Sequence, residues 1–194
     1  QYRTFFGTDV GLSLDALIQA DGGVDVSDFT LNAQAAQLRG KVTLNSDKWP
    51  SVIDIIGTVA STEDERVLLP VAGASTYVRR MDIDVKYNAD DSDAITAAID
   101  VDGLATDALA IDLSRLDLTG TLAEKSGSVG AFNGDLAFTT KGLTLTNAAI
   151  SEALGQALSG RANIGYTTGQ PVQISGLDLS GADYGLSGDA TIYG

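Results

Sequence analysis

The chain has 194 residues and a formal net charge of −14. Apolar residues make up 44% of it and charged residues 20%, which excludes an intrinsically disordered tail. The negative charge argues against binding to nucleic acid or to an anionic membrane surface, because both would be repelled at long range. The absence of Cys excludes disulfides and thiolate metal sites and fits an oxidising compartment such as the periplasm. The absence of His removes the commonest general base.

Short segments with apolar residues two apart follow one another along the chain, beginning with 10–16 and continuing through 53–59, 78–87, 95–101 and 136–145. Residues two apart lie on one face of a strand, so each segment predicts a strand with one apolar face. Clusters of turn-forming residues separate these segments, and they fall at 45–47, 88–93, 126–128 and 168–171. Together these signals predict an all-β fold, in a single segment that covers residues 1–194.

The segments 24–44 and 172–192 repeat one pattern without a gap, and a shorter copy of its opening lies at 111–122. Each copy begins with apolar residues two apart, then three apart, then two apart. The step of three would turn the second half of the strand to the opposite face unless a β-bulge absorbs the additional residue. The repeat therefore predicts bent strands in which both halves face inward. The predicted bulges lie at Ser27-Asp28, Ser114-Arg115 and Ser175-Gly176.

One stretch departs from this period. Within "NAAISEALGQALSG", Ile150, Leu154 and Leu158 have helical spacing. Asn147 can cap the start of a helix, and Gly160 can close its end. We therefore predict one short amphipathic helix near 148–158, on an edge or opening of the sheet.

A series of phrases resembles the TamB family of translocation and assembly module subunits, within the broader AsmA-like group. The phrases are "LLPVAGAS" leading into "MDIDVKYNADDSD", then "LSRLDLTGTL", "NAAISEALGQALSGRANIGY" and "GQPVQISGLDLSGADYGLSGDATI". They cover about the last two thirds of the chain. None of them is a catalytic signature, and the resemblance rests on their order.

The resemblance implies an elongated, curled, repetitive antiparallel β-sheet, the "β-taco", with an apolar inner groove. It also implies a periplasmic location within a protein anchored in the inner membrane, and a TamA-type outer-membrane barrel as partner. The family is linked to phospholipid transport to the outer membrane and to the assembly of autotransporters and other barrel proteins. This chain would be an internal segment of such a protein.

An apolar strand face is buried either by a second layer of protein or, in a curled sheet, by lipid chains that fill a trough. Without the resemblance a packed core would be favoured, and with it we predict an open trough that holds phospholipid acyl chains. The predicted lining residues are Val24, Val26, Phe29, Leu31, Leu38, Val42, Leu44, Ile111, Leu113, Leu116, Leu118, Leu122, Val172, Ile174, Leu177, Leu179, Leu186 and Ile192.

Two other functions remain open. The free edge of an open sheet can template an incoming strand, which would make the chain a chaperone or scaffold for barrel proteins. A filled interior without a continuous trough would instead indicate a plain adhesin-like β-domain.

No catalytic residue, metal site or cofactor is predicted. The acidic strings "YNADDSD" and "DVDG" resemble calcium loops, but neither matches the EF-hand spacing, and solvated turns are the simpler interpretation. No nucleophile has a visible base. The remaining acids that alternate with apolar residues are expected on the wet face of the strands. They are Asp15, Asp54, Asp82, Asp84, Asp100, Asp112, Asp117 and Asp178.

Overall fold

A computed structural model shows the chain as one antiparallel β-sheet that does not close on itself, which confirms the predicted all-β fold. The structure describes residues 2–61, 65–71, 73–125 and 129–193, and the predicted turn at 126–128 lies outside them. The longer strands form a continuous series in which each strand is hydrogen-bonded to the next, and we call this series the main path. Its members are β1 (Gly11–Ile18), β2 (Val24–Asn32), β3 (Ala36–Leu44), β4 (Pro50–Ala60), β7 (Arg80–Asn88), β8 (Ser92–Ala105), β9 (Leu109–Lys125), β10 (Val129–Lys141), β12 (Ala157–Thr167), β13 (Val172–Ser180) and β14 (Gly185–Ile192).

The smaller elements all lie at one rim of the sheet. They are α1 (Arg3–Phe6), β5 (Val67–Leu68), β6 (Tyr77–Val78), β11 (Thr144–Leu145) and α2 (Ala148–Leu154). We call this side, where the connections 61–79 and 142–156 join the strands, the long-loop rim. At the opposite side, the short-turn rim, the strands are joined by tight turns such as 19–23, 45–49 and 168–171. The turn at 45–49 is built by the Asn45 side chain, whose Oδ1 accepts hydrogen bonds from the amides of Asp47 (3.0 Å) and Trp49 (2.9 Å).

The two full copies of the sequence repeat form hairpins with the same register. In β2–β3, Val24 pairs with Leu44, and in β13–β14, Val172 pairs with Ile192. The pairings further along each hairpin also correspond, including Leu31 with Leu38 and Leu179 with Leu186. The sequence repeat is therefore a structural repeat of one hairpin.

Two of the three predicted bulges are confirmed. The β2–β3 register shifts between Val26 and Phe29, and the β13–β14 register shifts between Ile174 and Leu177. The third prediction, at Ser114-Arg115, is wrong, because β9 runs in unbroken register against both β8 and β10 at this point. Without a bulge, Leu113 and Leu116 lie on opposite faces of β9.

The predicted helix exists but is shorter than expected. Its N-terminus is capped as predicted, since Asn147 Oδ1 accepts a hydrogen bond from the Ile150 amide at 3.2 Å. The helix ends at Leu154, before Gly155, whose φ of 71° is strained for other residues. Ala157 and Leu158 belong to β12, where Ala157 pairs with Lys141, so the predicted end at Gly160 is wrong.

The sheet curls strongly towards its apolar face. Trp49, in the turn before β4, packs with Phe132 of β10 in one cluster. A Cβ added at Gly130 of β10 would overlap the indole ring of Trp49. Four strand spacings separate β4 from β10, about 19 Å in a flat sheet, which is beyond the reach of an indole side chain. Glycines ease the bend: Gly120 and Gly134 pair across β9 and β10, with the Phe132 ring against both.

Candidate functional site: the apolar face of the sheet

Apolar residues form continuous rows that run across the strands on one face of the sheet. Residues that pair directly in an antiparallel ladder lie on the same face, so the register defines each row. The longest row crosses the whole main path, and its members are Leu12, Leu31, Leu38, Gly57, Ile83, Ile99, Leu116, Phe138, Gly160, Leu179 and Leu186. A neighbouring row consists of Leu14, Phe29, Gly40, Ile55, Val85, Ala97, Leu118, Leu136 and Ala162.

Clusters of packed side chains lie on both sides of these rows, one at each rim of the sheet. At the long-loop rim, Phe5 of α1 and Val67 of β5 pack with Val59 and Val78 in a buried cluster, which we call the loop cluster. At the short-turn rim, Tyr87, Ile95 and Leu122 form the turn cluster, against which Trp49, Ile53 and Phe132 pack. The Tyr87 hydroxyl donates a hydrogen bond to the Leu122 carbonyl oxygen at 3.0 Å, which links β7 to β9 across the intervening strand β8.

Between the two clusters the apolar face is only partly covered. Of the members of the two rows, Ala162 is buried, and the others on the inner strands are half-buried. The part of the chain that the structure describes contains this one sheet, so no second sheet lies over the rows. The curled sheet therefore gives this face a concave apolar surface, which we call the trough, with the loop cluster and the turn cluster at its two rims.

The structure places most of the predicted lining residues on this face. Val26, Phe29, Leu31, Leu38, Val42, Leu116, Leu118, Ile174, Leu177, Leu179 and Leu186 lie on the rows or on their continuation through the hairpin bulges. Val24 with Leu44, and Val172 with Ile192, pair nearest the short-turn rim. Leu122 is buried in the turn cluster rather than open to the trough.

Two predicted residues lie elsewhere. Leu113 pairs with Asp102 and with Lys141, so it lies on the polar face, where it is 51% exposed. The prediction that it lines the trough is wrong, because it depended on the missing bulge. Ile111 pairs with Leu104, which packs against the loop cluster near the long-loop rim.

The list of predicted lining residues left out the strands between the repeats. Ile55 of β4, Ile83 and Val85 of β7, Ile99 of β8 and Phe138 of β10 occupy the middle of the rows. Their period-two alternation was visible in the sequence. It does not show which strands are neighbours, and so could not join these residues to the copies of the repeat.

The opposite face of the sheet is polar and carries ion pairs. Arg115 contacts Asp117 on its own strand (2.8 Å) and Asp100 on the neighbouring strand (3.0 Å). A hydrogen bond from the Arg80 guanidinium lowers the pKa of Asp82, and a hydrogen bond from Thr58 lowers it further against the opposing effect of burial. Two open clefts of about 730 and 700 Å³ lie on this polar side. These exposed ion pairs keep the polar face of the sheet in contact with solvent.

The sheet ends in two strands that are paired on one side only among the described residues, β1 and β14. Every residue of both strands is exposed. Leu12 of β1 is 66% exposed and Leu186 of β14 is 57% exposed, although both belong to the long apolar row. Each edge therefore presents free backbone hydrogen-bonding groups next to apolar side chains.

No family model, curated protein or solved structure shows a significant match to this chain. The resemblance to the TamB family therefore stays a prediction. Among the described residues, no helix has the length and apolar character needed to cross a bilayer.

Proposed function

We propose that the apolar trough binds phospholipid acyl chains and forms one section of a lipid route between two membranes. The observation that carries the proposal is the long apolar row, which crosses every strand of the main path without a covering sheet over the described residues. The TamB-like resemblance supports the same function, with a periplasmic location and a TamA-type barrel as the downstream partner.

The chemistry of the trough suits passage better than storage. Burying one CH₂ group contributes about 0.8 kcal/mol, so a chain of about 16 carbons gains on the order of 10 kcal/mol before ordering costs. A storage site needs a deep pocket with polar groups that fix one orientation. The rows instead offer similar Leu, Ile and Val side chains on successive strands. Neighbouring positions would therefore bind a lipid acyl chain about equally well.

The test compares two leucines of β9 that face opposite sides of the sheet. Leu116→Arg places a charge on the apolar row, whereas Leu113→Arg places the same charge beside Asp102 on the polar face. We expect a photo-crosslinkable phospholipid to label the wild-type chain and the Leu113→Arg variant equally, and to label Leu116→Arg several-fold less. Equal labelling of all three proteins, or none of the wild type, would contradict lipid binding in the trough and leave the apolar face as a packing surface.

A second function is favoured by the two free edges: templating of an incoming strand, as a scaffold for barrel proteins during assembly. The backbone of β1 and β14 offers a ladder that a partner strand can complete by hydrogen bonding. The position of a crosslinked cargo distinguishes the two functions. Lipid would attach to the rows of the apolar face, and a peptide would attach to an edge strand.

A further inference from the structure

We propose that the indole N–H of Trp49 donates a hydrogen bond to an ester carbonyl of a phospholipid whose acyl chains lie in the trough. This inference rests on the lipid binding proposed above, and it adds which end of the lipid lies at the short-turn rim. Its starting point is a polar atom without a partner: Trp49 Nε1 is buried, and none of the described residues accepts a hydrogen bond from it. A buried donor without an acceptor destabilises a fold and is rare in native proteins.

The other polar side chain of the turn cluster does have a partner. The Tyr87 hydroxyl donates a hydrogen bond to the Leu122 carbonyl oxygen at 3.0 Å. The remaining side chains that pack in this cluster belong to Ile, Leu and Phe residues, which carry no acceptor. An acceptor for Trp49 Nε1 therefore has to come from outside the cluster.

The turn at 45–49 fixes the indole at the boundary between apolar side chains and solvent. The Trp49 amide donates to Asn45 Oδ1 at 2.9 Å, and the Trp49 carbonyl oxygen accepts from the Asn45 amide at 2.9 Å. The six-membered ring of the indole lies against Gly130, while residues 46–48 of the same turn are exposed. Because the backbone already holds this donor in place, little freedom is lost when it binds an acceptor.

The ester groups of a phospholipid lie at the same kind of boundary, between the acyl chains and the headgroup. Indole rings are enriched at this level of a bilayer, where an apolar body and a polar N–H are both accommodated. With the acyl chains on the apolar rows, the ester carbonyls would lie beside Trp49 and the headgroup beside the exposed turn. Trp49 and Phe132 are both half-buried, so a small rotation of either ring gives a carbonyl access to Nε1.

The charges of the rim favour a neutral carbonyl over the lipid phosphate as the acceptor. The turns 19–23, 45–49 and 89–91 contain four acids and one base, namely Asp21, Asp47, Asp90, Asp91 and Lys48. The Lys48 ammonium is engaged, since it donates to the Gly22 carbonyl oxygen. A phosphate would be repelled by these acids, and its burial beside an apolar cluster would cost more than burial of an uncharged carbonyl.

The first test uses Trp49 itself, which is the single tryptophan of the chain. The wild type is loaded with phosphatidylcholine that carries a nitroxide quencher, either next to the ester group or at the methyl end of an acyl chain. We expect the quencher next to the ester to reduce Trp49 fluorescence several-fold more. Stronger quenching from the methyl end would overturn the inference and leave lipid binding in the trough intact. No quenching from either position, together with no crosslinking of lipid, would overturn both.

The second test removes the donor and keeps an aromatic ring. Trp49→Phe should bind ester-linked phosphatidylcholine about fivefold more weakly, with a melting temperature equal to or above that of the wild type, because a buried donor without an acceptor is removed. Tyr87→Phe is the matched control. It removes the other hydrogen-bonding side chain of the cluster, whose acceptor lies within the protein, so it should lower the melting temperature and leave lipid affinity unchanged. Titration with a phosphatidylcholine that carries a fluorescent headgroup measures each affinity.

The third test removes the acceptor, by replacing the ester-linked lipid with its ether-linked analogue. The wild type should prefer the ester about fivefold, and Trp49→Phe should show no preference. The same ester preference in both proteins would overturn the inference, as would equal binding of the ester lipid by both. Weaker binding by Trp49→Phe without an ester preference in the wild type would identify the phosphate as the acceptor and overturn the assignment to the carbonyl.

Discussion

The hairpins β2–β3 and β13–β14 have the same pattern and register but different surroundings. In the first hairpin, Leu38 is half-buried because β4 and the curled sheet lie beside it. In the second, its counterpart Leu186 is 57% exposed. The comparison shows that the repeat specifies the hairpin itself, whereas burial depends on the strands added next to it.

The largest difference in stability between the hairpins is expected at two equivalent glycines, Gly40 of β3 and Gly188 of β14. Gly40→Val should destabilise the fold by about 3 kcal/mol or more, because β4 cannot move away without breaking its ladder. Gly188→Val should change stability by less than about 0.5 kcal/mol, because the added side chain enters open space. Urea denaturation of both variants measures the difference. Similar losses at the two glycines would mean that the β14 edge is not open in solution.

A smaller difference in stability is expected at two equivalent leucines, Leu38 of β3 and Leu186 of β14. Leu38→Ala removes a half-buried side chain that lies over Gly57, and we expect a loss of about 2 kcal/mol. Leu186→Ala removes an exposed side chain, and we expect a loss below about 0.5 kcal/mol. The midpoints of urea unfolding test this pair. An equal loss at both positions would show that Leu186 is covered in solution.

The two bulges should also respond differently. Gly176 has a φ of 58°, in the left-handed region, so Gly176→Ala should cost about 1–2 kcal/mol. Its counterpart Asp28 does not have a positive φ, and Asp28→Ala should cost less than about 0.5 kcal/mol. Thermal unfolding followed by circular dichroism distinguishes them. A loss at Asp28 as large as that at Gly176 would indicate that the bulges share one backbone conformation.

The smallest effect is expected on β7, between the two hairpins. The pKa of Asp82 is lowered in the folded chain by Arg80 and Thr58. This contribution to stability is therefore present above the pKa of an unfolded Asp and is lost as the pH falls through the folded pKa. Because the pair is exposed, solvent screens it and its contribution to the free energy of unfolding is small. Asp82→Asn should lower stability slightly at pH 7 and reduce its decline in acid, as measured by urea unfolding from pH 2 to pH 7. An unchanged acid profile would contradict this role.

The strings "LSRLDLTG" and "ISGLDLSG" show how far the sequence alone could predict the fold. Their alternation correctly predicted strands, and the full repeat correctly predicted its two bulges. It failed at Ser114-Arg115 because the pairing partners decide the outcome there. Arg115 reaches both Asp100 and Asp117 from the polar face of a regular strand, and β8 and β10 hold that register on both sides. Gly176, at the matching position, adopts a left-handed φ that suits a bulge.

The site could be predicted only in part for a related reason. Local spacing placed Phe29, Leu38 and Leu116 on an apolar face, but only the order of strands joins them into rows with Ile55 and Ile83. The end of α2 was misplaced because β12 requires Ala157 for its pairing with Lys141. Helical spacing extends across this boundary and does not reveal it.

The two rims differ in the connections that join their strands, and this difference has a practical consequence for engineering. An insertion into the turn at 45–49 would displace Trp49 from the hydrogen bonds that Asn45 makes to hold that turn. The connection around α2 has no buried residue in its helix. A reporter domain or an affinity tag grafted there should leave strand spacing unchanged, so labelled forms of the protein are best built from that side.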